Sequence, residues 1–216
     1  MIQLLTEAGA KPPQFAEGSR ELAWITAAKN GEVKRLQELR VAGVAMNAKY
    51  SSSTDPEEVT ALAAAAEHGR LEVVRWLLQQ GATVDEPCGN SGEDGKRTAL
   101  MHAARGGNVA VVTTLIEAGA TVTARDKCKA TPLHYAAEFG HDEIIRLLVK
   151  AGAQVDAMGR VGTPLMAAAG NGLLDAVRVL LELKANPNAK TKAGYTALFN
   201  AAGEGHTEVV KVLLAS

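Results

Sequence analysis

A threonine, then alanine or proline, then leucine opens five segments of this chain, at Thr60, Thr98, Thr131, Thr163 and Thr196. The spacings are 38, 33, 32 and 33 residues. Self-similarity at such a period constrains the fold more than any other feature. It specifies a stack of small units, each burying its apolar face against a neighbour, instead of one closed core. The clearest copy runs from Thr131 to Ala157, TPLHYAAEFGHDEIIRLLVKAGAQVDA. Thr131 is a good N-cap and Pro132 suits a first helical position, where the missing N–H costs nothing. Leu133, Ala136 and Ala137 fall at i, i+3 and i+4, a narrow face of small residues that admits a neighbouring helix closely. Gly140 ends that helix by taking a left-handed conformation. A second helix is expected over Asp142 to Lys150, with a broad stripe of Ile144, Ile145, Leu147, Leu148 and Val149, stopped at Gly152.

The same final glycine recurs as Gly43, Gly81 and Gly119, with Lys184 where the next would fall. The opening motif reads TALAAAAEHGR at Thr60, TALMHAARGGN at Thr98, TPLMAAAGNGL at Thr163 and TALFNAAGEGH at Thr196. T-P-L-H-x-A at a period near 33 resembles the ankyrin repeat. That resemblance covers nearly the whole chain and implies an all-α solenoid of stacked helix–turn–helix units set against a row of hairpin-like loops. In this register the chain divides into a second helix alone (1–10), a degenerate repeat (11–48), repeats over 49–85 and 86–124 with inserted loops, regular repeats over 125–157 and 158–189, and a last repeat over 190–216.

Two stretches depart from the pattern. Met1 to Ala10, MIQLLTEAGA, superimposes on IIRLLVKAGA of Ile144 to Ala153, so either the array is cut from a longer protein or a lone helix caps it. In the degenerate repeat Trp24 stands at the leucine position, and Arg35, Glu38 and Arg40 leave only Val33, Leu36 and Leu39 as an apolar stripe. The two insertions, YSSSTDPEE (50–58) and EPCGNSGEDGKR (86–97), are rich in Ser, Gly and Asp and are expected as loops on one edge of the stack. The last repeat ends on Val209, Val210, Val212, Leu213 and Leu214, as apolar as an internal copy, and a terminal repeat ordinarily needs a polar outer face. An end-to-end contact there is one expectation.

Charge and chemistry narrow the function. A net charge of −1 gives no global attraction to nucleic acid or anionic membrane, and no run approaches the roughly 18 apolar residues of a membrane span, so neither direct nucleic-acid binding nor membrane insertion is expected. A cytoplasmic location is expected, with the nucleus as the alternative. Cys88 and Cys128 cannot build a zinc site by themselves and are read as reduced thiols. The five histidines fall at repeat positions and form no cluster. No phosphate-loop, H-E-x-x-H or nucleophile-elbow motif occurs. Hence no catalytic residue, cofactor or metal is expected.

What remains is a surface. The ankyrin resemblance implies a protein partner on the concave face, built from loop tips and the outward positions of each first helix. By register that face includes Ala64 and Glu67; His102, Arg105 and Gly106; Tyr135, Glu138 and Phe139; and Gly170, Asn171, Asn200, Gly203 and Glu204. The resemblance also makes His134 a structural tie between loop and helix. Tyr135 and Phe139, at i and i+4, share a helix face and are expected as aromatic anchors. Lys127, Lys129, Arg160 and Lys192, beside Tyr195, make the later tips basic, whereas Asp55, Glu57, Glu58, Glu86, Glu93 and Asp94 make the earlier loops mainly acidic. The function expected is a non-catalytic protein-interaction module or scaffold. The alternatives are a targeting or substrate-recognition part of a larger enzyme or channel, or a regulator that masks a nucleic-acid-binding partner.

Overall fold

The computed structural model describes residues 19–50, 58–89 and 95–216. The expected lone helix at 1–10, most of the following turn and the centres of both insertions lie outside the described residues.

Inner helices follow the threonines. Helix α1 is Ser19–Asn30, α3 is Ala61–Glu67, α5 is Ala99–Gly106, α7 is Pro132–Glu138, α9 is Pro164–Gly170 and α11 is Ala197–Gly203. Each is paired with an outer helix: α2 (Val33–Val41), α4 (Leu71–Gln79), α6 (Val109–Glu117), α8 (Asp142–Lys150), α10 (Leu174–Glu182) and α12 (Thr207–Leu214). The threonines before α3, α5, α7, α9 and α11 are extended, as an N-cap must be. The hydroxyls of Thr60, Thr163 and Thr196 accept the amides of Ala63, Met166 and Phe199 at 3.2, 3.3 and 3.1 Å.

Helices pack on their own partners and on the equivalent helices of adjacent repeats, so two layers run side by side. The inner layer closes on fully buried alanine pairs, Ala65–Ala66, Ala103–Ala104, Ala136–Ala137 and Ala168–Ala169. Methyl groups let these backbones approach. The outer layer supplies bulk through Leu36 and Leu39, Val74 and Leu77, Val112 and Leu115, Ile145 and Leu148, and Val177 and Leu180, all buried. The thinner stripe of α2 buries only its two leucines. Trp24 compensates beneath it, fully buried with its ring edge-on to Trp76 at 6.2 Å.

At the tips the chain turns back across short extended pairs. Strand β1 (Lys49–Tyr50) pairs antiparallel with β2 (Val59–Thr60), and Cys88 and Arg97 exchange both backbone hydrogen bonds. Both cysteines are free thiols, Cys88 buried and Cys128 half-buried. Adjacent repeats are tied at the base of the tips. Asn47, Asp85 and Asp156 accept the backbone amides of Thr83, Thr121 and Asn186 at 2.9–3.2 Å. Lys184, standing where the other repeats have glycine, still adopts the left-handed conformation at φ +69°. The stack imposes the same turn on a residue that disfavours it. No helix among the described residues is long and apolar enough to cross a membrane.

Candidate functional site

The concave face does not present every residue that the register placed there. His102 is only 1% exposed, and Tyr135 only 7%. Both were expected to face the groove, and both are turned into contacts between repeats. Ala64 is likewise buried.

The cause at His102 is the close approach of α5 to α3. The His102 Nδ1–H donates to Glu67 Oε2 at 3.0 Å, and Arg105 Nη1 donates to Glu67 Oε1 at 2.9 Å. The hydrogen bond from His102, with the positive charges of His102, Arg105 and His68, holds the Glu67 carboxyl at about 2, although burial opposes this. A depressed carboxyl stabilises the fold above its unfolded value of 4.5 and loses that contribution as pH falls toward 2. Urea midpoints are therefore expected to drop over this window, and Glu67→Gln to flatten that part of the profile. An unchanged profile would show the carboxyl to be unlinked to folding.

At Tyr135 the cause is a polar network beneath the tips. The Tyr135 hydroxyl donates to Asp126 Oδ2 at 2.6 Å and accepts from Arg97 Nε at 2.8 Å, while the Arg97 guanidinium lies 5.3 Å from the ring centre. Burial, reinforced by Asp126, pushes the phenol far above its ordinary value. Asp126 Oδ1 also accepts the Ala130 amide at 2.8 Å. Tyr135 thus fixes the shape of the tip that carries Lys127 and Lys129.

His134 ties helix to loop. Its Nδ1 accepts the Thr131 amide at 3.1 Å, and its Nε2–H donates to the Gly162 carbonyl of the next repeat at 3.1 Å. Burial pushes the imidazole pKa down, which favours the neutral ring this arrangement requires.

Phe139 does reach the surface, 43% exposed. The Arg105 guanidinium lies 5.5 Å from its ring centre, and the His141 ring stacks on it at 6.4 Å. Lys127, Lys129, Arg160 and Lys192 are exposed on the tips. A backbone ladder sets two of them in line: the Lys127 amide donates to the Gly95 carbonyl at 3.0 Å, and the Arg160 amide to Cys128 at 2.8 Å. On the earlier side, Glu86 pairs with Lys49 at 2.7 Å and so serves the tip itself. Asp55, Glu57, Glu93 and Asp94 lie outside the described residues.

Between the tip at 158–162 and helices α7, α9 and α11 lies an open groove of about 450 Å³. Ala167, Gly170 and Gly203 line its floor, and Glu138, Arg160, Val161, Phe199 and Glu204 its sides. It unites Glu138 with Arg160. Arg105 and Phe139 form a separate pair one repeat earlier. Val161 and Phe199 were not anticipated from the sequence, yet they are 74% and 56% exposed. Phe199 occupies the third position of its inner helix, which holds buried Ala63, Met101, His134 and Met166 in the other copies. The Phe199 ring lies open, and Tyr195 stacks on it at 4.5 Å. An aromatic residue at a position otherwise held by Ala, Met or His was the available signal.

An alternating Ala-rich and Leu/Val-rich helix stack with a concave face of this kind defines a helical repeat protein. The family description "Ankyrin repeats (3 copies)" matches residues 1–88, 24–126, 86–159 and 157–216, and the chain belongs to the ankyrin-repeat family. It is also similar to a protein of Oryza sativa subsp. japonica described as "Probable E3 ubiquitin-protein ligase XBOS33", 46% identical over 56 residues. Those residues are 26% of this chain and 11% of that protein, so the match spans about a tenth of the relative's length.

Proposed function

We propose that this chain is a non-catalytic protein-binding module whose partner lies in the concave groove of the later repeats and on the basic tips beside it. One observation carries the reading: a preformed groove with a floor of Ala167, Gly170 and Gly203 and two exposed apolar side chains, Val161 and Phe199, on its sides. A small-residue floor lets a partner's backbone come close, and exposed aromatic and aliphatic groups supply binding energy once water is excluded. Arg160, Lys127, Lys129 and Lys192 add steering, and Arg105, Glu138, Phe139 and Tyr195 extend the contact surface along the array. Binding to a rigid face of this kind is close to rigid-body docking. A cytoplasmic or nuclear location goes with this reading.

Gly203 allows a direct test. A Cβ built there meets nothing within 4 Å, so a side chain added at this groove-lining position starts in open space. Gly203→Trp is expected to leave the helical circular dichroism and melting unchanged. Photo-crosslinking to partners from lysate should fall about tenfold, the equivalent of roughly 1.4 kcal/mol. An outer-face variant, Arg178→Ala, is expected to retain the intact chain's partners. Equal crosslinking by Gly203→Trp and the intact chain would place the partner elsewhere.

The match to a ubiquitin ligase favours a second reading, in which the groove selects substrates for ubiquitin transfer by a larger assembly. Proteins lost from the Gly203→Trp sample should then carry ubiquitin chains whose abundance depends on this chain. Unaltered ubiquitin levels would remove that reading and leave the first intact.

A further inference from the structure

The two rims of the groove carry opposite charge, and their separation specifies what fits between them. Arg160 stands on the tip side, with Lys127, Lys129 and Lys192 exposed on the tips around it. Glu138, the last residue of α7, and Glu204, which follows α11, stand at the far side. Both carboxylates are exposed, and neither has an ion-pair partner among the described residues. The inner helices run from the tips to these glutamates. Seven residues of α-helix rise about 10 Å, and the tip adds a few ångströms more. An extended chain covers about 13 Å in four residues, and side chains at i, i+2 and i+4 point the same way.

Resting on the proposal that this groove binds protein, we infer that its occupant is an extended segment with an acidic residue and a basic residue four positions apart, flanking an apolar residue midway. The acidic side chain meets Arg160 and the basic tips, and the apolar one enters between Val161 and Phe199 over Ala167, midway along its helix. The basic one meets one of the two carboxylates, Glu138 or Glu204, which stand at the ends of inner helices two repeats apart. Either chain direction satisfies this spacing. A segment with one kind of charge alone leaves one rim facing like charge or no partner, which is how such a surface discriminates. Uniformly acidic and uniformly basic ligands are therefore both disfavoured.

A displayed library of random nine-residue peptides tests this, selected in parallel on the intact chain, on Gly203→Trp, on Arg160→Glu/Lys192→Glu and on Glu138→Gln/Glu204→Gln. The charge variants are on exposed residues and change the charge of the groove's sides while leaving Ala167, Val161 and Phe199 in place. Peptides enriched on the intact chain and lost on Gly203→Trp are expected to carry the acid–apolar–base spacing. The first charge variant should abolish the acidic preference alone and weaken a selected peptide about tenfold at low salt, less as ionic strength rises. The second should abolish the basic preference alone. Peptides that depend on the groove but lack this spacing would overturn the inference while leaving the groove as a protein-binding site. If no peptide enriched on the intact chain is lost on Gly203→Trp, both the inference and the groove reading fail.

Discussion

Replacing Gly106 by alanine is expected to split the unfolding of the array into two transitions and to lower its stability by about 2 kcal/mol. A Cβ at Gly106 falls 2.0 Å from the backbone carbonyl oxygen of Glu67 and 2.9 Å from its carbon, so α5 must move off α3. Overpacking of this kind costs about 3 kcal/mol where backbone is the obstacle, and alanine's better helix propensity returns at most about 1 kcal/mol. The displacement also carries His102 and Arg105 away from the Glu67 carboxylate. Because each repeat contacts only its neighbours, loss at one interface uncouples the two sides instead of unfolding the whole. Urea melts followed at Trp24 and Trp76, which lie on the earlier side, should then precede melts followed by total helicity. Gly203→Ala is the control, since nothing obstructs its Cβ and only propensity acts. A single coincident transition for Gly106→Ala, with unchanged midpoint, would show that the stack absorbs the extra methyl.

The contrast between Gly106 and Gly203 also marks what the sequence makes legible. Both glycines were placed on the concave face by register. Register identifies which helix face a residue occupies, and it located the helices of the Thr131 copy because Thr131, Pro132, Gly140 and Gly152 act through local backbone chemistry. Distance between neighbouring helices is set by pairs of residues some 35 apart and leaves no local mark. That is why Gly106 is filled by Glu67 while Gly203 is open. The same reason separates Phe139, which reaches solvent, from Tyr135 on the same helix, whose partners Asp126 and Arg97 lie in loops. Basic residues at the tips were readable because turns project side chains outward whatever the packing. The groove between Val161 and Phe199 was not, because it depends on which repeats cover one another.

Removing the phenol oxygen of Tyr135 tests that separation most sharply. Tyr135→Phe keeps the ring and its packing but takes the hydroxyl that bridges Asp126 Oδ2 and Arg97 Nε. Asp126 is buried, and its carboxylate then retains the Ala130 amide on its other oxygen. Hydrogen bonds to charged groups contribute about 1.5–3 kcal/mol, and leaving a buried carboxylate short of a donor costs a similar amount. A loss of about 2 kcal/mol is therefore expected in the repeats around α7, with faster hydrogen exchange at the Ala130 amide. Phe139→Ala, by contrast, removes a ring that is already half in water. It should change stability by less than about 1 kcal/mol while weakening whatever contacts the concave face. The opposite result, partner binding lost and stability kept in Tyr135→Phe, would return the phenol to the role of a groove anchor. Its burial between two charged groups argues otherwise, because a hydroxyl already engaged on both sides has neither the exposure nor the free valence to meet a partner.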